Sequence, residues 1–203
     1  LDQREQTIRE ILEVLESQPT GLANVTKEEL AEVIYEEASR YNHDPKFILA
    51  LIAIESSFQN WSVSEQGAKG LMQIMPYVAK SLAHELGIEW SGDRTLFNPY
   101  LNVRIGSYYL FQLIKEFNDP RLALAAYNAG ENRIRKEIEL QKVGNYYYLY
   151  LPAETERYVY KIAAAKIILS DPERYGFRLE EKERYDPLLL ERIQLELTQP
   201  LSL

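Results

Sequence analysis

Glu55 directly follows Phe47 to Ile54, eight apolar residues that form the longest such run in the chain. If the run is a helix, its geometry puts the carboxyl at the C-terminal end, beside a polar loop. Desolvation disfavours a charged carboxylate, and the partial negative charge of a helix C-terminus does the same. Both raise its pKa, and a carboxylic acid that stays protonated near neutral pH can serve as a general acid. A glutamate reaching into solvent from a helix end would occupy the same position, so the residues that follow decide between the two. They are Ser57-Phe58, a polar loop, and then Gly67-Ala68-Lys69-Gly70-Leu71-Met72-Gln73-Ile74-Met75-Pro76. Two glycines three apart let backbone segments approach closely. Both methionines of the chain lie here, and a flexible thioether can pack against a sugar ring or fill core. Gln73 offers a donor and an acceptor, as recognition of hydroxyl and acetamido groups requires.

The elements that must position these residues read as helices. Ile8, Ile11, Leu12 and Leu15 recur at helical spacing, and Pro19-Thr20-Gly21 breaks the pattern. Thr26 with Glu29 three residues on has the form of a capping box for a second helix, whose stripe is Leu30, Val33, Ile34, Ala38 and Tyr41. Asp44-Pro45 is a cap followed by a first-turn proline, which favours a helix over a buried strand for the apolar run. Residues 56 to 75 read as a loop. Pro76, Pro99 and Asp119-Pro120 open further helices, and a long one spans Ala153 to about Leu169. The tail from about Tyr175 is charged and carries one more helical pattern, Pro187 to Leu197. The expected fold class is all-α.

Composition bounds the possibilities. The 203 residues fit one domain with an extra arm, and no apolar run approaches the roughly 20 residues of a membrane helix. The absence of cysteine removes thiol nucleophiles, disulfides and cysteine metal sites. A net charge of -8 argues against a nucleic-acid partner, and the short basic cluster Arg133, Arg135 and Lys136 reads as a solvated helix face. His43 and His84 share no ligand spacing and read as surface residues, so neither metal nor cofactor is expected. Tyrosine, at 15 residues against 6 Phe, pairs an apolar ring with a polar tip and suits wet grooves.

Four strings occur in order: Glu55-Ser56-Ser57-Phe58; Ser64 with Gly67 to Pro76; Ala126-Tyr127-Asn128-Ala129-Gly130; and Leu151-Pro152-Ala153-Glu154-Thr155 with Tyr158-Val159. Together they resemble the catalytic domain of soluble-type lytic transglycosylases, which shares its fold with goose-type lysozymes. The likeness covers about residues 28 to 170. It implies a lysozyme-like helical domain over residues 26 to 170, with an N-terminal helical extension (1 to 25) and a C-terminal charged helical tail packing on the core (171 to 203). It implies that Glu55 is the catalytic acid/base and that Ser64 hydrogen-bonds near that carboxylate and the sugar. Met72 and Gln73 would line the groove for N-acetylated sugars. Tyr127 would sit close to the catalytic centre with Asn128 turning the chain beneath it, and Glu154 and Tyr158 would be groove residues on the last core helix. Gln59-Asn60 stands where the family often has Asn-Pro, Glu65 where it often has Pro, and Glu156-Arg157 where Arg-Asn is more usual. These departures bear on subsite preference.

The resemblance also implies the reaction: cleavage of the MurNAc-β-1,4-GlcNAc bond of peptidoglycan, with attack by the sugar's own C6 hydroxyl and a 1,6-anhydro product. One carboxyl then suffices where ordinary glycosidases use two. A lysozyme-type hydrolase on the same fold would need a second carboxylate to hold water, and Glu89 and Asp93 lie nearby in sequence without a feature that positions them. A non-catalytic glycan-binding module would not need Glu55. Peptidoglycan glycan strands are the expected partner, a monomer the expected state, and the periplasm or cell envelope the expected location.

Overall fold

The computed structural model describes residues 2–171 and 173–175. Among them are nine α-helices: α1 (Gln3–Glu16), α2 (Asn24–Arg40), α3 (Pro45–Ser56), α4 (Pro76–Glu85), α5 (Asp93–Leu96), α6 (Pro99–Phe117), α7 (Pro120–Ala129), α8 (Glu131–Gln141) and α9 (Ala153–Ser170). Single 3₁₀ turns lie at Tyr146–Tyr148 and Glu173–Tyr175. Two isolated bridges, Val63 with Lys69 and Lys69 with Ile74, are the only β pairing among the described residues. The all-α reading therefore holds. The last helical pattern, Pro187 to Leu197, lies outside the described residues.

The chain follows its punctuation. Asp44 caps α3 by accepting from the Lys46 amide at 2.9 Å, Asn98 caps α6 and Asp119 caps α7, and each helix has its proline at the first turn. α3 runs through the middle of the molecule between α2 and α9, with Ile48 to Ile52 excluded from solvent. A helix apolar on all sides can only be a core helix. α1 lays Ile11, Val14 and Leu15 onto α2 and α3 within the same core. Glu37 of α2 is buried, and burial raises its pKa while Arg40 and Arg104 oppose the shift from 3.5 and 3.6 Å. The second of these contacts ties α2 to α6.

Two readings need correction. α2 begins at Asn24 behind Ala23, which offers no side-chain cap, so Thr26 and Glu29 form no capping box. Glu29 instead accepts a hydrogen bond from the Tyr100 hydroxyl of α6. A tertiary partner has taken the carboxylate that a local cap would have used. His43 is half-buried rather than on the surface, with Nε2 buried and unpartnered, whereas His84 is exposed. The short helix α5 gives no periodic signal in four residues. α8, by contrast, carries Arg133, Arg135 and Lys136 on its exposed face, with Arg135 paired to Glu116.

A buried amide holds the second half of the loop between α3 and α4. Asn102 of α6 accepts from the Met72 amide at 2.8 Å and donates to the carbonyls of Leu96 at 2.9 Å and Lys69 at 3.0 Å. Gly70 lies so close that a Cβ there would meet Asn102 Nδ2 at 2.2 Å and the Leu96 carbonyl at 2.5 Å, and its φ is +82°. Gly70→Ala should therefore cost at least about 2 kcal/mol, combining left-handed strain with a clash against fixed backbone. Gly67 also has positive φ but no atom within 4 Å of a Cβ, so Gly67→Ala should cost only the backbone part, about 1–2 kcal/mol. Urea denaturation of both variants checks this, and equal losses would remove the packing role of Gly70.

Candidate active site

Glu55 is the penultimate residue of α3, and the helix stops abruptly after it. Ser57 and Phe58 both adopt left-handed backbone, with φ of 50° and 62°. Such conformations cost about 1–3 kcal/mol each in non-glycine residues. Burial of the Phe58 side chain in the core holds the turn in place. The sharp reversal keeps the chain from covering Glu55, which remains half-buried with one edge toward solvent. Gln73, the third strained residue of this region, has φ of 50°.

The Tyr158 hydroxyl of α9 donates to Glu55 Oε1 at 2.5 Å, which leaves Oε2 without a hydrogen bond among the described residues. Burial raises the Glu55 pKa from 4.5 to about 7, and the Tyr158 hydrogen bond opposes it by favouring the charged form. No other carboxylate among the described residues contributes to the shift. Tyr127 and Tyr158 are both held neutral, first by burial and then by the nearby Glu55 charge. Both remain O–H donors across the working pH range. The Tyr127 hydroxyl donates to the Met72 carbonyl at 2.8 Å, and its ring packs 5.1 Å from Tyr109, whose hydroxyl donates to Glu131 at 2.8 Å.

The other expected residues fall in three groups. Gln73 follows Met72, whose carbonyl Tyr127 reaches, but its amide already serves the loop, with Nε2 donating to Gly70 O at 2.8 Å and Ser62 O at 3.0 Å. Ser64 makes no hydrogen bond to Glu55. Its Oγ accepts from the Ala68 amide at 3.0 Å in a tight reversal, which leaves the hydroxyl proton available. Asn128 and Glu154 are exposed and make no side-chain bond among the described residues. Two readings are overturned. The Met72 thioether is fully buried against Gly106, which has no side chain to keep it out, so it packs core and cannot face a sugar. Asn128 lies within α7, and the chain turns at Gly130, whose φ is 90°.

Sequence reasoning missed Asn102, Asn60 and Tyr109. Asn60 is buried; its side chain donates to the Phe97 carbonyl at 3.0 Å and its amide to the Thr20 carbonyl at 3.2 Å. Asparagine between two apolar residues of a helix, as at 102 between Leu101 and Val103, is the one signal that could have exposed the first of these. Asp93, a candidate second carboxylate, is bound to Lys69 at 2.7 Å. Among the described residues no three His, Asp or Glu side chains converge as a metal site would require.

Glu55 makes a stability prediction independent of any activity. Its folded pKa exceeds its unfolded value, so the stabilising contribution of the protonated state is complete below pH 4.5 and is lost as pH rises through about 7. Glu55→Gln should thus unfold at a higher temperature than the native protein at pH 8, with the gap closing toward pH 4. Thermal denaturation at the two pH values measures it, and a gap that does not change with pH would contradict the burial of the carboxyl.

Comparison with known proteins places this geometry. The family model described as the transglycosylase SLT domain matches residues 32–149, a span that holds Glu55, Gln73 and Tyr127 but ends before Tyr158. The soluble lytic murein transglycosylase of Salmonella typhimurium is 37% identical over 91 residues, 44% of this chain and 14% of that protein. The membrane-bound lytic murein transglycosylase D of Escherichia coli is 31% identical over 141 residues, 66% of this chain and 30% of that protein. Among solved structures, an inactive glutamate-to-glutamine mutant of lytic transglycosylase Slt from Pseudomonas aeruginosa matches with a TM-score of 0.58 and 29% identity, over 71% of this chain and 24% of that one. The chain spans 14% to 36% of the curated relatives it matches. With the model matched across more than half of its length, and with the all-α fold built around Glu55, the chain belongs to the transglycosylase SLT domain family.

Proposed function

We propose that this chain is a lytic transglycosylase that cleaves the MurNAc-β-1,4-GlcNAc bond of peptidoglycan, with Glu55 as its single acid and base. The observation that carries the reading is a half-buried carboxyl with a pKa of about 7 and no second carboxylate in its field among the described residues. It starts protonated, and its Oε2 has no hydrogen bond among the described residues. Glu55 gives its proton to the glycosidic oxygen as the C1–O4 bond breaks, and the GlcNAc residue leaves with a free 4-hydroxyl. The MurNAc C6 oxygen then bonds to C1, and its proton passes to the Glu55 carboxylate. No water is consumed and the enzyme returns to its starting state. Tyr158 orients the carboxyl through Oε1, and both it and Tyr127 stay neutral beside the Glu55 charge. Relatives named as murein transglycosylases support the substrate class, and the Pseudomonas protein is described as inactive with glutamine in place of one glutamate. A substrate of this kind, and relatives named as murein transglycosylases, support a location in the bacterial cell envelope.

Two experiments test the reading. Glu55→Gln should keep its circular dichroism spectrum and lose at least about a hundredfold in rate on purified peptidoglycan, the usual scale of general acid catalysis. Native products should be 1,6-anhydro ends, lighter by one water, about 18 Da, than the reducing ends a hydrolase makes. Mostly hydrated ends would assign the site to lysozyme-type hydrolysis, and an active Gln variant would remove Glu55 from the chemistry.

The pH profile follows from the same group. The working form is the protonated one, so kcat/KM should hold below about pH 7 and fall as pH rises through it. Tyr158→Phe deletes the hydrogen bond that favours the carboxylate, so the alkaline limb should move to higher pH even as the rate drops. A limb that stays in place or moves down would deny Tyr158 its contact with Glu55.

A further inference from the structure

At the opposite end of α3 from Glu55 lies a concavity of about 540 Å³, between the start of α3, the end of α6, α7 and α9. Its apolar lining includes Phe47, Phe111, Ile114 and Leu124, with Lys115 and Lys166 on its rim. The wall formed by α9 is itself incompletely covered. Residues 162 to 169 read Ile-Ala-Ala-Ala-Lys-Ile-Ile-Leu, apolar nearly all round, yet Ala163 on the groove wall is exposed, as are Ala164 and Ile167 beside the groove, the latter at 53%. Such a helix is made to be covered on more than one side.

We propose that this groove is the docking site of the chain's own segment Pro187–Leu197. The chain leaves α9 at Ser170, only four residues beyond the rim residue Lys166. The eleven residues 176 to 186 can span up to about 36 Å, and α9 from Val159 to Ser170 is roughly 17 Å long, so the segment can reach any part of the groove. Its sequence, Pro-Leu-Leu-Leu-Glu-Arg-Ile-Gln-Leu-Glu-Leu, supplies six large aliphatic side chains for an apolar floor. Glu191 and Glu196 are suited to Lys115, which has no ion pair among the described residues, whereas Lys166 on the same rim is already paired with Asp44 at 3.4 Å. Docking there covers Ala163 of α9, the helix that carries Tyr158, at the end of α3 opposite Glu55.

The chain has no cysteine, so introduced thiol pairs report single contacts. In the 203-residue chain, Ala163→Cys is combined in turn with Leu189→Cys, Leu190→Cys and Ile193→Cys, and each pair is compared with Ser81→Cys on α4 carrying the same second cysteine. At least one Ala163 pair should close a disulfide within the chain about tenfold faster than its Ser81 control, because a docked segment has the higher effective concentration. Rates equal to the controls for all three pairs overturn the proposal. So do disulfides formed between chains, which would make the groove an interface between copies. Independently, Leu190→Asp combined with Ile193→Asp should uncover the groove and raise the fluorescence of an apolar dye severalfold with the helical spectrum unchanged. No rise would also overturn it.

Discussion

The structure depends on sinking one carboxyl at the end of a helix that has no polar side. Glu55 can be neutral near pH 7 only because α3 is enclosed by α2, α1 and α9, and α3 can be enclosed only because it is apolar from Ile48 to Ile52. The core that stabilises the fold and the desolvation that tunes the acid are one physical effect. Its cost falls beside the carboxyl, where two consecutive non-glycine residues take left-handed backbone to turn the chain away. Strain at this point is tolerated because Phe58, one of the two, is anchored in the core.

A second buried polar group organises what faces the acid. Asn102 uses both ends of its amide inside an apolar helix–loop interface, where an unpaired amide would be costly. By fixing the Met72 amide it fixes the Met72 carbonyl, and that carbonyl is the acceptor for Tyr127. Met72 thus contributes through its backbone, while its side chain closes the space above Gly106. Asn102 thus links α6 and the loop to Tyr127 of α7, which also packs directly on Tyr109 of α6.

The N-terminal segment belongs to the same arrangement. Thr20 is buried, its carbonyl accepts from the Asn60 amide, and Gly21 packs against the exposed indole of Trp61. The stretch between α1 and α2 therefore buttresses the loop that follows Glu55. α9 reaches Glu55 itself with Tyr158, over a separation of 103 residues.

Much of this was legible in the chain itself. Prolines and aspartates at helix starts marked α3, α6 and α7, because capping and first-turn geometry are local. The run ending at Glu55 announced a buried acid, since eight apolar residues in a helix leave no face for water. What local pattern could not hold was pairing across the chain. Thr26 and Glu29 had the spacing of a capping box, but Tyr100, 71 residues away, claimed Glu29. Met72 and Gln73 had side chains suited to a sugar, but Gly106 enclosed the first and the loop carbonyls engaged the second. Spacing determined where the acid stands and that it would be desolvated. Only the tertiary structure decided which hydroxyl orients it and which neighbours remain free to face a ligand, because those depend on contacts between residues far apart in sequence.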